Sequence, residues 1–406
     1  MQRVLLINTR KAETVRRLMA LPDVELVAVT EPRNTFLYPD GVEVYTIEDL
    51  TDFRAIRGIV MQAQRNGTLD AVITPAERAI QVGGYLRSFF GLPGIDYETA
   101  NRFTNKAVMK KALGDHGIDV APHRVVYSIA EVPSVGDALG WPVVVKPVLG
   151  TGAYHAFKVD SPRSFPAFRD GAAGATLTRL ELPLLVEKFI DMEAEYHVDA
   201  VVQDGEVQFA AASRYFTPLL DSLEEFTGSY FLPHRDRDRI ALEAINADVL
   251  KAMNLESGVT HLEVYKQGDT WVVGEVACRP GGGGIARAVE LQYGIDIWQA
   301  YFDISMGRRA VLDVQEIDGI VSNCDLPLRP GLVTEISDVN DVLRVSGVVE
   351  AKVNYKVGDV IKSPYFDSSA AAGIAFFVTA DEETVGETVR ELTREFVFEV
   401  EPEAQA

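Results

Sequence analysis

Positive charge and cysteine are both scarce in this chain of 406 residues. It has 39 lysines and arginines against 60 acidic residues, which gives a formal net charge of −21. Such a balance argues against partners with an anionic surface, so we expect binding to neither nucleic acid nor membranes. The two cysteines, Cys278 and Cys324, supply neither a disulfide framework nor a metal-ligand spacing.

Long apolar runs are missing as well. The apolar start of the chain, Met1–Asn8, is too short for a signal peptide and lacks a small-residue cleavage site. No other stretch approaches the roughly 20 apolar residues of a membrane helix, so we expect a cytoplasmic protein. A chain of this length, 47% hydrophobic, is too long for one core and predicts two or three domains.

Two familiar kinds of catalytic motif are also absent. The turn after the first predicted strand, Asn8–Lys11, lacks the glycine pattern of a dinucleotide site, so NAD is not expected. We find no serine–histidine or reactive-cysteine arrangement, and we interpret Cys278 as a packing residue. Chemistry through NAD or through an enzyme nucleophile is therefore not predicted.

The first hundred residues alternate between strand and helix patterns. Apolar runs predict buried parallel strands at Val4–Ile7, Val24–Thr30 and Ala71–Thr74. Helical spacing separates them at Ala12–Leu21 and Thr51–Asn66. This order predicts a small doubly wound α/β unit.

The rest of the chain predicts an α+β organisation. Helices are predicted at Tyr97–His116, Ser161–Ala172, Asp236–Met253, Ile297–Met306 and Glu382–Phe396. Strands are predicted at Val143–Lys146, Ala156–Val159, Leu184–Glu187, Glu195–Val202, Val207–Ser213, Val348–Val353 and Ala372–Val378.

Glu263 and Glu275 are the most informative pair in the sequence. Each lies in an apolar run that predicts a strand, and Lys266–Thr270 between the runs predicts a hairpin turn. Adjacent antiparallel strands can point both carboxylates at one spot, where they repel unless a cation lies between them. Hard oxygen ligands suit Mg²⁺, which usually arrives with a nucleotide's phosphates. Two ordinary glutamates on a solvated hairpin face remain the alternative.

Two lysines and a glycine loop could meet those phosphates. Lys146 ends a predicted strand, and the bare N–H groups of Gly150 and Gly152 could cover the same oxygens. The loop lacks the ending of a P-loop, and an ordinary hairpin would also explain it. Lys106 lies on the preceding helix, where we interpret its neighbours Lys110 and Lys111 as solvated charges.

An adenine-type segment and an arginine complete the set. Leu184–Ile190 offers apolar walls and backbone groups, and Glu195 could accept both ribose hydroxyls or form a cross-strand charge pair. Arg279 follows Glu275 by four residues, and glycines 281–284 would let backbone approach a ligand closely.

In this order, the elements resemble the ATP-grasp superfamily, and most of all its carboxylate–amine ligase branch, which includes the L-amino-acid ligases that make dipeptides. The resemblance implies an ATP-grasp fold of mixed α/β and α+β class. It implies a Rossmann-like preceding domain at 1–100, a central lid subdomain at 101–190, a catalytic subdomain at 191–307 and a C-terminal α+β region at 308–406 that completes the catalytic half.

The resemblance also implies roles for individual residues. Phosphates would meet Lys106, Lys146 and the loop Gly150, Thr151 and Gly152; adenine would meet Glu187, Lys188, Phe189 and Ile190; and ribose would meet Glu195. Glu263 and Glu275 would bind Mg²⁺, with Mn²⁺ a possible substitute, and Arg279 would stabilise the transferring phosphoryl group. Two positions depart from the family, namely Ala277, where asparagine is usual, and Glu193, where glycine is common.

The implied reaction is ATP-dependent amide formation, expected to give a dipeptide through an acyl phosphate with release of ADP and phosphate. A γ-carboxyl donor such as glutamate, an acceptor that is not an amino acid, and an inactive nucleotide-binding module, suggested by Ala277, remain alternatives. Small-molecule carboxylates and amines are the expected partners, and a homodimer is possible within this family. For substrate binding we predict Arg214, His261, Gly282 and Gly283, with selectivity in the aromatic and acidic segment Asp221–Phe231; His261 could instead be a core histidine.

Overall fold

The computed structural model describes residues 1–151, 155–218, 226–362 and 371–401. Its first ninety residues form a parallel sheet in the order β3-β2-β1-β4. The strands are β1 Gln2–Asn8, β2 Val24–Thr30, β3 Glu43–Thr46 and β4 Ala71–Ile73, and the helices are α1 Ala12–Ala20, α2 Phe53–Asn66 and α3 Glu77–Phe90. Helix α1 packs on one face and α2 and α3 on the other, which confirms the predicted doubly wound unit.

The helix predicted over Tyr97–His116 is wrong, because two helices occupy this span. Helix α4 covers Tyr97–Arg102 and α5 covers Lys106–Asp115. The side chain of Asn105 accepts hydrogen bonds from the N–H groups of Ala107 and Val108, so it caps a new helix. Lys106 is therefore the first residue of α5, where it is buried.

A small antiparallel sheet follows, in the order β5-β8-β6-β7. Its strands are β5 His123–Val126, β6 Val143–Pro147, β7 Phe157–Val159 and β8 Leu184–Lys188, and the connecting helices are α6 Val132–Leu139, α7 Phe165–Asp170 and α8 Ala172–Arg179. The helix predicted over Ser161–Ala172 is wrong in its bounds, because helix α7 ends before Gly171 and a second helix, α8, begins after it.

The largest sheet has eight strands in the order β13-β12-β9-β10-β11-β14-β18-β16. Its strands are β9 Ala194–Gln203, β10 Glu206–Tyr215, β11 Thr227–Phe231, β12 Gly258–Gln267, β13 Thr270–Ala277, β14 Ile320–Leu326, β16 Val348–Val353 and β18 Gly373–Thr379. The helices along the same part of the chain are α9 Arg237–Ala252, α10 Ile285–Tyr293, α11 Ile297–Ser305, α12 Val339–Leu343 and α13 Glu382–Glu395. Strands β15 Gly331–Ile336, β17 Val360–Ile361 and β19 Phe398–Glu401 form a separate sheet.

Strand alternation separates the two faces of this eight-stranded sheet. One face buries Val198, Leu262 and other apolar side chains against α5 and α9. The opposite face packs Val201, Val259 and Val321 against α10 and α11. We call this second face the site face, because the same alternation places the acidic residues of β9, β12 and β13 on it.

Within the described ranges, no helix is long and apolar enough to cross a membrane.

Candidate active site

The predicted metal-binding glutamates lie opposite one another. Glu263 of β12 pairs directly with Glu275 of β13 in the antiparallel ladder, and both side chains are on the site face. Burial raises the pKa of Glu263, but His261, together with Lys106 and Arg279, lowers it below its ordinary value. Burial, together with nearby Glu77 and Glu263, holds the pKa of Glu275 above its ordinary value despite Lys106. Two crowded carboxylates of this kind suit a divalent cation.

Lys106 connects the glutamate pair to the glycine loop. Its Nζ donates to Oε1 of Glu275 at 2.6 Å and to the carbonyl of Gly150 at 3.0 Å. The lysine side chain is only 4% exposed. Burial lowers its pKa, but the surrounding carboxylates, first Glu275 and then Glu77 and Glu263, together raise it above its ordinary value. Lys106, Gly150 and Glu275, predicted from separate parts of the sequence, therefore meet here. Of the other two loop residues, Thr151 follows Gly150 directly, and Gly152 lies outside the described residues.

Arg279 is held by a residue that the sequence analysis missed. Its Nη2 lies 2.7 Å and its Nε 3.2 Å from Oε2 of Glu77, the first residue of α3. Burial lowers the pKa of Arg279, but Glu77 and then Glu275 and Glu263 raise it. The preceding α/β unit therefore orients the arginine towards the glutamate pair. A carboxylate just after a buried parallel strand was the signal that could have identified Glu77.

Lys146 and Glu187 belong to one buried ion cluster with Lys110. The carboxylate of Glu187 lies 2.5 Å from Lys146 Nζ and 3.2 Å from Lys110 Nζ. The interpretation of Lys110 as solvated is wrong, because its side chain is 2% exposed, whereas Lys111 is exposed as expected. The four-residue spacing puts Lys110 on the helix face of Lys106, a signal that was available in the sequence. Burial opposes ionisation of Glu187, yet the two lysines lower its pKa to about 2.

The predicted adenine segment is partly engaged within the protein. The side chain of Lys188 donates to the carbonyls of Gly140 and Trp141, between α6 and β6, each at 2.9 Å. The N–H groups of Lys188 and Phe189 bond to the carbonyls of Pro122 and Pro142. The side chain of Lys188 therefore holds the connection between α6 and β6.

Ile190, the last residue of the predicted adenine segment, and Glu195, predicted to bind ribose, follow along the chain. Ile190 is partly buried in the connection to β9, and Glu195 is buried on the site face, across from Tyr265. The structure thus places Glu195 on the same face as Glu263, as a ribose-binding role requires.

A buried carboxylate between two histidines supports Glu263. Asp199 Oδ1 lies 3.0 Å from His261 Nδ1, and Asp199 Oδ2 lies 2.7 Å from His197 Nδ1. Burial lowers the pKa of His261, but Asp199 and Glu263 raise it to about 10. His261 Nε2 lies 3.7 Å from Glu263 Oε1. The three could offer ligands to a metal, but Asp199 already bonds both imidazoles, so we interpret them as a hydrogen-bonded support.

The support continues to the glycine run. His197 Nε2 lies 2.8 Å from the hydroxyl of Ser229, which donates to Asn323 Oδ1 at 2.9 Å. Asn323 in turn donates to the carbonyl of Gly283 at 2.7 Å. Gly282 precedes Gly283, and its carbonyl accepts a hydrogen bond from the N–H of Ile285, the first residue of α10. Two predicted substrate residues, His261 and Gly283, are thereby joined by one buried polar chain.

Arg214, predicted to bind substrate, lies on the opposite face of the sheet from the glutamate pair. Arg214 pairs with Tyr196 and Tyr230 across the ladder, and these alternate with the residues of the site face. Its guanidinium lies over the Tyr196 ring at 5.8 Å. The two-residue period of the strand places Arg214 on the face that points away from the glutamates. Of the predicted selectivity segment, residues 221–225 lie outside the described part of the chain.

Comparison with known proteins gives one consistent family. The chain is 32% identical over 390 residues to an L-arginine-specific L-amino acid ligase from Bacillus subtilis, covering 94% of each chain. Residues 326–401 match the family model of the L-amino acid ligase C-terminal domain 2.

Solved structures show the same fold. An L-amino acid ligase from Bacillus licheniformis superposes with a TM-score of 0.80 at 19% identity, covering 99% of both chains. A carboxyaminoimidazole ribonucleotide synthase from Aspergillus clavatus, complexed with ATP, superposes with a TM-score of 0.71 at 16% identity, covering 97% of both chains. The predicted ATP-grasp fold is confirmed. The chain therefore belongs to the L-amino acid ligase family of ATP-grasp enzymes, and it is an ATP-dependent ligase that joins a carboxylate to an amine.

Proposed function

We propose that this enzyme joins two amino acids into a dipeptide through an acyl phosphate. The observation that supports this most is the convergence of Lys106, Gly150, Glu275, Glu263 and Arg279 on one spot of the site face. This set pairs cations for a triphosphate with carboxylates for a metal. The relative from Bacillus subtilis is named for an amino-acid substrate, which favours an amino acid as the carboxylate donor.

The residues present fit a bound Mg²⁺, with Mn²⁺ as a substitute. Glu263 and Glu275 would hold it, without the asparagine that Ala277 replaces. When bound, the ion would neutralise charge on the β- and γ-phosphates. Lys106 and Lys146 would contact the same phosphates, and to do so they would exchange their present carboxylate partners, Glu275 and Glu187.

The chemistry then runs in two displacements. A carboxylate oxygen of the donor attacks the γ-phosphorus of ATP, and the bond to the β–γ bridging oxygen breaks as ADP leaves. The amine of the acceptor next attacks the acyl carbon, the carbon–oxygen bond to phosphate breaks, and the amine loses a proton. Arg279 would neutralise charge on the transferring phosphoryl group and on the leaving phosphate. Its anchor Glu77 fixes the guanidinium in that position.

Phosphate release measured over pairs of amino acids, with mass spectrometry of the products, tests this proposal. We expect release that requires both ATP and an amino acid, and a product whose mass is that of two amino acids less one water. Release driven only by a γ-carboxyl donor, or by an amine that is not an amino acid, would replace the dipeptide proposal with one of its alternatives. ATP binding without turnover for any pair would indicate an inactive nucleotide-binding module.

A further inference from the structure

Asp325 is a partly buried carboxylate on the site face that no role assigned above uses. It lies on β14, two residues beyond Asn323 and on the same side of the strand. A Cβ placed on Gly283 would lie 3.2 Å from Asp325 Oδ2, so the carboxylate adjoins the backbone of the glycine run. Directly across the ladder is Thr227, within the segment predicted to select the substrate.

No cation compensates this carboxylate within the part of the chain that the structure describes. Burial alone raises the pKa of Asp325 to about 7, with no charged group contributing. The ladder register places Lys352 on the same face as Asp325, but two strands away from it, beyond Ile374. Two strand spacings amount to roughly 10 Å, which is too far for an ion pair. Arg287 of α10 is bound to Glu290 and to Glu350 of β16.

The surroundings of Asp325 contrast with those of other buried acids in the site. Glu77, Glu187 and Glu275 each contact a lysine or arginine within 3.2 Å. Desolvating a carboxylate without a counter-charge is costly, so it is stabilised when a cation binds. The glycine run beside Asp325 is closely packed, because a Cβ at Gly284 would lie 2.1 Å from Ile374. Without side chains, its backbone groups can approach a ligand closely.

We propose that Asp325 binds a cationic nitrogen group of an amino-acid substrate, either an α-ammonium or a guanidinium. This inference rests on the proposed function for the identity of the ligand as an amino acid. The carboxyl group of the same substrate would extend along the glycine run towards Arg279. Asp325 is thus a specificity-determining residue at the far end of the site from the phosphates.

Binding of arginine and citrulline to the Mg²⁺–ADP-loaded enzyme tests this, measured by calorimetry and followed by phosphate release with each amino acid. Citrulline keeps the α-ammonium but replaces the guanidinium by a neutral urea group. Asp325→Asn is compared with wild type and with Asp318→Asn, which removes an exposed carboxylate just before the same strand. Thermal unfolding checks that each variant is folded.

A guanidinium site predicts that Asp325→Asn weakens arginine binding about 10- to 100-fold, with citrulline unchanged. An α-ammonium site predicts an equal loss for both amino acids. The inference is overturned if Asp325→Asn binds both amino acids with affinities within twofold of wild type. It is also overturned if the wild-type enzyme binds neither arginine nor citrulline. The outcome for the proposed function is separate, because a wild-type enzyme that binds arginine through Asp325 but releases no phosphate would refute only the proposed dipeptide synthesis.

Discussion

The two ends of the site differ in how their buried charges are paired. At the end predicted to meet the nucleotide, buried charges are paired: Lys106 with Glu275, Arg279 with Glu77, and Glu187 with two lysines. At the glycine end, Asp325 has no such partner among the residues that the structure describes. Glu275 and Asp325 lie on strands of the same sheet, so the difference reflects the counter-charges that α3, α5 and the small antiparallel sheet bring to one end only.

The difference indicates how each end would respond to a ligand. A paired lysine can bind a phosphate only by loosening its carboxylate, so binding there exchanges one ion pair for another. An unpaired carboxylate gains a partner without losing one. Removing a group from the paired end should therefore affect both stability and activity, whereas removing the Asp325 charge should affect ligand binding without a loss of stability.

Glu275→Gln is expected to have the largest effect on the paired end. Turnover should fall about 1,000-fold, since metal-assisted charge stabilisation is worth several kcal/mol. Phosphate release in the presence of ATP and amino acids measures the loss. Glu206→Gln, an exposed position in the same sheet, serves as the matched control. Near-normal turnover in a folded Glu275→Gln enzyme would remove this residue from the metal site.

Arg279→Ala should lower turnover about 100-fold, because it removes a charge aimed at the transferring phosphoryl group. The KM for ATP should change by no more than about threefold, since the interaction strengthens in the transition state. Steady-state kinetics at saturating amino acid separate the two constants. A rise in KM with unchanged turnover would instead place Arg279 in ground-state binding.

Glu187→Gln tests the buried cluster through stability. The substitution leaves Lys110 and Lys146 buried without a full counter-charge, so the free energy of unfolding should fall by about 3 to 5 kcal/mol. Asp115→Asn is the matched control, because it breaks the exposed Lys111 pair and should cost about 0.5 kcal/mol or less. Urea unfolding at pH 7 measures both.

The same cluster has a pH signature. The folded pKa of Glu187, about 2, lies below its ordinary value of 4.5. Its contribution is therefore fully present above pH 4.5 and is lost as the pH falls towards 2. If Glu187→Gln and wild type lose stability in parallel between pH 4.5 and 2, then ionised Glu187 does not contribute to the stability of the folded protein.

Apolar periodicity was sufficient to predict the parallel unit and the hairpin of Glu263 and Glu275, whereas the superfamily fold was inferred from a resemblance in the order of the motifs. Neither predicted the contact of Asp325 with the glycine run or that of Glu77 with Arg279, because each joins segments far apart in the chain. The position of Glu77 after a buried parallel strand was the one available signal. Lys110 and Arg214 are different cases. The helix period already contained in the sequence puts Lys110 on the buried face of Lys106, and the strand period puts Arg214 on the face opposite the glutamates.

The smallest predicted effect concerns the unpaired end. The pKa of Asp325, about 7, lies above its ordinary value of 3.8, so the folded protein binds the extra proton between those values. Stability should therefore fall as pH rises from about 4 to 7 and stay level above 7, and Asp325→Asn should be more stable than wild type by about 1 to 2 kcal/mol at pH 7. Urea unfolding of both proteins at pH 5 and pH 8, with Asp318→Asn as control, gives the difference. A stability gain that disappears when arginine is added would connect the charge to its ligand, because only the wild type would then gain a counter-ion. Equal stability of the three proteins at both pH values would show that the carboxylate is compensated after all, and the contrast between the two ends would not hold.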